Sequence, residues 1–396
     1  VNPFPVFLAS LACLPAANPA PIRLKAGDHV VFIGSALVER EQRYGYWEAA
    51  LTTGLAGKAV QFRNLGWSGD TVFGEAQAGF GSPADGFRHL KEHVLALKPT
   101  VIVVGYGRNE SFDGPGGLPR FTSGLNTLLD ALAPSKAKFV LLSPTKQENL
   151  GRPLPDPEAT NRNLRLYSEA IKDVAARRGM TFVDLFNLPA DGSMAPSQLT
   201  DNGVHLTPQG YWRTAAVLAK SFGLPAAAWR VELDAAGTVS AATGVKVEPL
   251  RGAGATFRCT DATLPLPPPA GSKDSSTRVV RVRGLKLGSY TLTADGKPVA
   301  TATADAWSQG VSLPHGPEIE QAEKLRTAIV AKNRLYFHRW RPQNETYLFG
   351  FRKHEQGQNA REIPQFDPLV VEAEKEIAQL AIPVPHTYEL KRDKSK

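Results

Sequence analysis

Apolar residues in this chain gather into short unbroken runs, separated by longer stretches with a helical rhythm. HVVFIG (29–34), VQFRNLG (60–66), TVIVVGYG (100–107), KFVLLSP (138–144) and TFVDLF (181–186) are the runs. Continuous rather than alternating apolarity is the pattern of strands covered on both faces, as in a parallel sheet. Between the runs, residues 45–56, 85–97, 119–133 and 157–178 read as helices. In DGFRHLKEHVLALKP, for example, Phe87, Leu90, Val94 and Leu97 fall on one face and Pro99 ends the element. A last helix follows in HLTPQGYWRTAAVLAKSFG, with Thr207 as N-cap and Pro208 at the first helical position. This alternation predicts a three-layer α/β domain with a parallel sheet over residues 21–225. Ligands in such sheets sit beyond the carboxyl ends of the strands.

After residue 225 the texture changes. Residues 226–313 carry strand patterns around a proline-rich polar loop, LPLPPPAGSKDSS, and YTLTADGKPVATA reads as a hairpin turning at Asp295-Gly296. A β-rich module is expected there. Residues 314–396 open with the helical PEIEQAEKLRTAIVAKNRLYFHRW and pass through an aromatic, loop-rich stretch to a helix near 369–380. The stretch YFHRWRPQNETYLFGFRKHEQ is rich in interface-forming Arg and aromatic side chains. It is expected to pack on the α/β domain and to wall one side of its cleft.

Composition narrows the classes. At 396 residues the chain exceeds one small core, and 42% hydrophobic with 21% charged residues is ordinary for a globular protein. The net charge of +8 is spread along the chain; only the terminal KRDKSK forms a basic run, which reads as a solvated tail. No basic stripe with interleaved aromatics occurs, so no nucleic-acid partner is expected. Residues 1–20 hold a short apolar run followed by small residues, resembling a secretory signal, although no positive charge precedes the run and prolines interrupt it. The run is too short for a stable membrane span. Export is therefore expected. With that segment and its Cys13 removed, Cys259 alone remains, which excludes an intrachain disulfide and a cysteine metal site.

Four clusters mark strand ends: FIGSALVER (32–40), NLGWSGDT (64–71), GYGRNES (105–111) and DNGVHLTPQGY (201–211). The glycines of the second permit a tight turn with unobstructed N–H groups. Asn109 in the third offers a side-chain donor just past a buried strand. His205, held before a capped helix, is placed to serve as a general base. Together, in this order, the clusters resemble the SGNH/GDSL hydrolase superfamily, and residues 314–396 are similar to the tails of its planctomycete-type multi-domain members. The resemblance implies a flavodoxin-like fold and an ester hydrolase that needs no metal or organic cofactor. Its substrates would be small-molecule or carbohydrate esters. It implies an oxyanion hole made by the Gly69 amide and Asn109, with His205 as base.

Two positions depart from the family pattern. The family's Gly-Asp-Ser turn aligns Ser35 with the aspartate and Ala36 with the nucleophile, and a methyl group cannot attack an ester. Ser35 is the alternative nucleophile if the register shifts by one. The acidic residue expected three positions before the histidine is Asn202, with Asp201 one residue earlier. Either Asp201 orients the imidazole, or the amide of Asn202 does so more weakly. The competing reading is a catalytically degenerate domain that binds a glycan or protein. His89 and His93 match an H-x-x-E-H zinc pattern, but both fall on a polar shoulder of their helix and are not assigned to a metal.

Overall fold

The computed structural model describes residues 20–189, 198–224, 228–250, 255–272, 278–355 and 357–394. Most of the signal-like segment, with Cys13, lies outside the described residues. Five strands form one parallel sheet: β1 (His29–Gly34), β2 (Gln61–Asn64), β3 (Val101–Gly105), β4 (Lys138–Leu142) and β5 (Thr181–Val183). Their order is β2-β1-β3-β4-β5. Successive residues of β1 enter opposite cores, as the two-residue period of a strand requires. Val30 and Phe32 pack with Trp47, Leu51, Tyr211 and Leu218, on the face covered by α2 (Tyr46–Thr53) and α6 (Pro208–Ser221). Val31 and Ile33 pack with Leu90, Leu125, Leu129 and Ile171, on the face covered by α3 (Pro83–Ala96), α4 (Gly114–Leu132) and α5 (Glu158–Arg177). The short α1 (Ala36–Glu41) starts directly at the end of β1. This is the expected three-layer α/β architecture, and the strand order reverses beside β1 and β3, where such sheets hold their ligands. Helix α4 begins five residues before the expected 119, because GPGGLP, which reads as turn chemistry, forms its first turns with a proline at the helix start.

The middle of the chain forms two further sheets. One runs β13-β10-β6-β7 and the other β12-β11-β14-β9-β8. The strands are β6 (Trp229–Asp234), β7 (Val239–Thr243), β8 (Val245–Pro249), β9 (Thr256–Asp261), β10 (Arg278–Arg283), β11 (Ser289–Ala294), β12 (Lys297–Thr303), β13 (Val311–Ser312) and β14 (His386–Arg392). A short α7 (Ala304–Gln309) lies between β12 and β13. Trp229, Phe257, Val280, Leu292, Trp307 and Tyr388 close a shared core. The hairpin turns at Asp295 (φ 47°) and Gly296 (φ 80°), the left-handed pair that such two-residue turns need.

Strand β14 comes from the end of the chain and lies between β9 and β11, antiparallel to both. The expectation of a solvated tail at KRDKSK is corrected here. Lys391 and Arg392 pair with Thr291 and Tyr290 of β11, and Asp393 accepts hydrogen bonds from Ser289 and Thr291.

Between these parts run α8 (Pro317–Trp340), the one-turn α9 (Glu345–Leu348) and α10 (Phe366–Leu380). Helix α8 lies on α2 and β2, with α10 packed along it. Lys332 of α8 is 1% exposed and pairs with Glu48 of α2 at 2.8 Å, while also donating to the Phe62 carbonyl at 3.1 Å. Burial pushes the Glu48 carboxyl up and the Lys332 ammonium down, and each partner opposes the other's shift. Arg63 of β2 meets Glu374 of α10 at 2.6 Å. The C-terminal segment thus docks on the α/β domain before ending as a strand of the β module. No helix among the described residues is long and apolar enough to cross a membrane.

Removing one partner of a buried ion pair strands the other. Lys332→Met is expected to lower unfolding stability by about 3–5 kcal/mol, and Glu48→Gln in the same chain is expected to recover most of that loss. Denaturant titration of both variants checks this.

Candidate active site

The site begins where β1 and β3 meet without side chains between them. Gly34 pairs with Gly105, and a Cβ on Gly34 would lie 2.5 Å from the Gly105 carbonyl oxygen. Ser35 donates its N–H to that same oxygen at 3.3 Å. Its carbonyl starts α1 by accepting from Val38 and Glu39, yet its hydroxyl makes no capping bond. Ala36 is the first helical residue.

The loop after β2 presses against α1. A Cβ on Gly66 would sit 2.3 Å from the Glu39 amide nitrogen, so only glycine fits. Asn64 locks this approach by donating to the Val38 carbonyl at 2.7 Å and accepting from the Gly66 N–H at 2.8 Å. Ser68 donates its N–H to Glu39 at 2.5 Å, and Arg341 from the C-terminal segment reaches the same carboxylate at 3.0 Å while stacking on Trp67. Buried Asp70 accepts from the Ala76 N–H, the Gln77 amide and the Tyr106 hydroxyl; burial raises its carboxyl above the usual range. The Asp70 carbonyl in turn accepts from Asn109 Nδ2 at 2.8 Å. Glu110 receives the N–H groups of Val72 and Gly107, both at 2.9 Å, clamping the same loop to the end of β3.

The histidine loop is held from β4. Glu148 accepts from the N–H groups of Leu199 and Thr200 and from the Thr200 hydroxyl, and its own N–H donates to Gly203. Thr207 caps α6 through Gly210, with Pro208 next, as expected. Within this frame Asn202 Oδ1 accepts two backbone bonds, from Val204 at 3.1 Å and His205 at 2.9 Å. Those bonds orient the amide so that Nδ2, a donor, faces His205 Nδ1 at 3.3 Å. Asp201 turns away: its carboxylate pairs with Arg40 at 2.9 Å.

Ser35, Ala36, Arg40, Arg108, Asn109 and His205 line one cavity of about 100 Å³. Gly69, Asp201 and Asn202 are not in its wall. Gly69 is an exposed neighbour of Asp70 with φ +84°, and its N–H has no acceptor among the described residues. A groove of about 750 Å³ shares Thr145 and Leu206 with the cavity. Residues 27–213, which carry all of these groups, match the GDSL-like lipase/acylhydrolase family. This domain belongs to the SGNH/GDSL hydrolase superfamily. No curated protein matches the chain. Among solved structures, the chain is similar to a gut microbial diltiazem-metabolizing enzyme at 16% identity and TM-score 0.72, over 95% of this chain and 100% of that one. At that identity the likeness is one of fold, and it extends through the β module and the C-terminal segment. An acetylxylan esterase from Geobacillus stearothermophilus aligns at 18% identity and TM-score 0.41, over 51% of this chain and 97% of its own.

Against the SGNH pattern, the cavity retains Asn109 and differs at the nucleophile position and at the partner of the histidine. The residue opening α1, where the pattern has the serine, is Ala36. The hydroxyl of Ser35 lies in the cavity wall with no hydrogen bond to His205. A carboxylate at position 202 would take a proton from Nδ1 and leave Nε2 as the free base. The Asn202 amide donates to Nδ1 instead, which places the ring proton on Nε2. The imidazole then presents a donor to the cavity, the reverse of what a general base needs. Desolvation, with the Arg40 guanidinium next and Arg108 adding to it, holds His205 below the usual histidine range against the opposing pull of Asp201. That shift favours the neutral ring at pH 7.

Sequence reasoning missed the two arginines. Arg40 lies four residues after Ala36 and so shares its helix face, the one available signal. Arg108 is the unassigned middle residue of the Gly-x-Asn cluster. The C-terminal aromatics do pack on the domain, with Trp340 edge-on to Trp67 and Phe351 to Phe80. None of them lines the cavity. His89 hydrogen-bonds the Gln77 carbonyl at 2.9 Å, His93 packs on Trp340, and no cluster of three metal-ligating side chains occurs among the described residues.

Long-range 1H–15N NMR of the histidines is expected to find His205 as the Nε2–H tautomer at neutral pH. Asn202→Asp is expected to move the proton to Nδ1 and to raise the titration point of His205 by about 1 pH unit or more, as a carboxylate neighbour favours the charged ring.

Proposed function

We propose that this SGNH domain acts as a ligand-binding site that keeps the recognition groups of an ester hydrolase and does not carry out serine–histidine acyl transfer. The observation that carries this reading is the Asn202 amide facing His205 Nδ1. It sets the imidazole as a donor, at a site where Ala36 already stands in place of a hydroxyl. What remains suits recognition of oxygen. Asn109 Nδ2 has two protons, of which the Asp70 carbonyl uses one, and the other is available to a bound oxygen. The neighbouring Gly69 amide belongs to the same turn. Such donors contribute on the order of 10²–10³ in rate when a nucleophile is present, and affinity alone when it is not.

One observation favours the second reading, hydrolysis of small-molecule or carbohydrate esters with Ser35 as nucleophile. That hydroxyl is buried in the cavity wall and does not cap its helix, so it is free to react. In that reaction His205 Nε2 would take the Ser35 proton as Oγ bonds to the carbonyl carbon. Asn109 and Gly69 would hold the oxyanion, the alcohol would leave with the proton, and water deprotonated by His205 would then cleave the acyl–Ser35 bond, releasing the acid and returning the proton to Ser35.

Hydrolysis of short acyl nitrophenyl esters and acetylated xylooligosaccharides separates the two. The wild type is expected to match His205→Ala at background. Ala36→Ser combined with Asn202→Asp is expected to gain at least about 10²-fold, because a mis-set histidine tautomer alone costs about 10⁴-fold in a serine hydrolase. Wild-type turnover near 1–10³ s⁻¹, typical of enzymes, lost in both His205→Ala and Ser35→Ala, would instead establish the second reading.

A further inference from the structure

Donors carrying charge or a fixed proton dominate the cavity wall, through Arg40, Arg108, Asn109 Nδ2 and His205, while Ser35 and Thr145 add hydroxyls that can donate or accept. Arg108 donates Nη2 to the Thr145 carbonyl at 2.8 Å and forms no ion pair among the described residues. Burial alone pushes its guanidinium down to about 10, with no carboxylate close enough to oppose the shift. Arg40 spends one nitrogen on Asp201, while its Nε is buried without a partner. Asn109 retains one amide proton, and His205 presents Nε2–H. The nearby acceptors are already occupied, since the Gly105 carbonyl takes the Ser35 N–H and the Leu37 carbonyl takes the Tyr211 hydroxyl. Two guanidiniums against one carboxylate leave the pocket one positive charge in excess. Half-buried Arg108 loses hydration with no counter-ion to offset the loss, and a ligand carboxylate would supply the missing charge.

We propose that the cavity takes the carboxylate of a small organic acid, with Arg108 as its ion-pair partner and Arg40 Nε, Asn109 Nδ2 and His205 Nε2 as further donors. This rests on the reading of the cavity as a binding site. A volume of about 100 Å³ admits the carboxylate and a few carbons, and the rest of a larger acid would pass Thr145 and Leu206 into the adjoining groove. The planar guanidinium of Arg108 suits a carboxylate, which it can meet through two parallel bonds. An ester carbonyl, being neutral, would leave the charge of Arg108 unmet.

Isothermal titration of the full chain with sodium propanoate, propanamide, sodium glucuronate and inorganic phosphate tests this. Propanoate is expected to bind at one site, glucuronate to compete with it, and the isosteric amide to bind at least about tenfold more weakly. Arg108→Gln is expected to weaken propanoate by roughly ten- to hundredfold while leaving the melting temperature unchanged or higher, because it removes an uncompensated half-buried charge. Arg40→Gln supplies a second variant, with a smaller loss of affinity expected, should the first fail to fold. Absence of propanoate binding, equal binding of propanamide, or phosphate binding more tightly than either acid would overturn the assignment. Ester turnover by the wild type would overturn the binding-only reading and leave carboxylate recognition standing, so the two failures are distinguishable.

Discussion

Two strand ends that touch without side chains make this site possible. Because Gly34 and Gly105 lie in register, helix α1 can start within two residues of the end of β1 and bring Ser35, Ala36 and Arg40 beside Arg108 and Asn109. The close pass of Gly66 against α1 adds the turn that carries Gly69 and Asp70. A side chain at either contact would need the backbone to move by more than a tenth of the sheet's roughly 4.8 Å strand spacing, and the three loops would part. The C-terminal segment reinforces the arrangement from outside. Arg341 holds the Glu39 carboxylate that also receives the Ser68 N–H, so a residue some three hundred positions away steadies the turn without entering the cavity.

On that frame, recognition and attack depend on different atoms and can be lost separately. Donor geometry comes from the backbone of two loops and from Asn109, held by carboxylates that serve structure: the buried Asp70 and Glu110 and the half-buried Glu148. Attack needs a hydroxyl at the helix start and an imidazole with an unprotonated Nε2. In the proposed binding reading, alanine in place of the serine and an amide in place of the carboxylate remove both requirements while disturbing neither loop. Asn202 keeps the backbone bonds to Val204 and His205 that an aspartate would make, so the loop retains its shape while the proton on the ring changes sides. The electrostatic result is a pocket of unmet donors.

Much of the framework was legible because its signals are local. The five apolar runs, the Asp295-Gly296 turn and the Thr207-Pro208 cap each depend on residues within a few positions of one another. Strand β14 was not legible, since only Tyr388 and Leu390 show inward alternation and its partners are far away in sequence. The choice between Asp201 and Asn202 as the partner of His205 stayed open for a similar reason. It is decided by Arg40, on a helix 161 residues distant, which captures the Asp201 carboxylate. Arg108 escaped notice because its significance lies in the carboxylate it lacks, and no window of sequence displays that.

The central claim is that this cavity meets a ligand carboxylate with an excess positive charge and the donors of Arg108, Asn109 and His205. A high-resolution crystal structure of the chain soaked in propanoate tests it most directly. The account predicts a planar carboxylate with oxygens within hydrogen-bonding distance of Arg108, Asn109 Nδ2 and His205 Nε2, and with the Ser35 hydroxyl unbonded to the imidazole. An empty cavity, or a Ser35 hydroxyl donating to an unprotonated His205 Nε2, would contradict it.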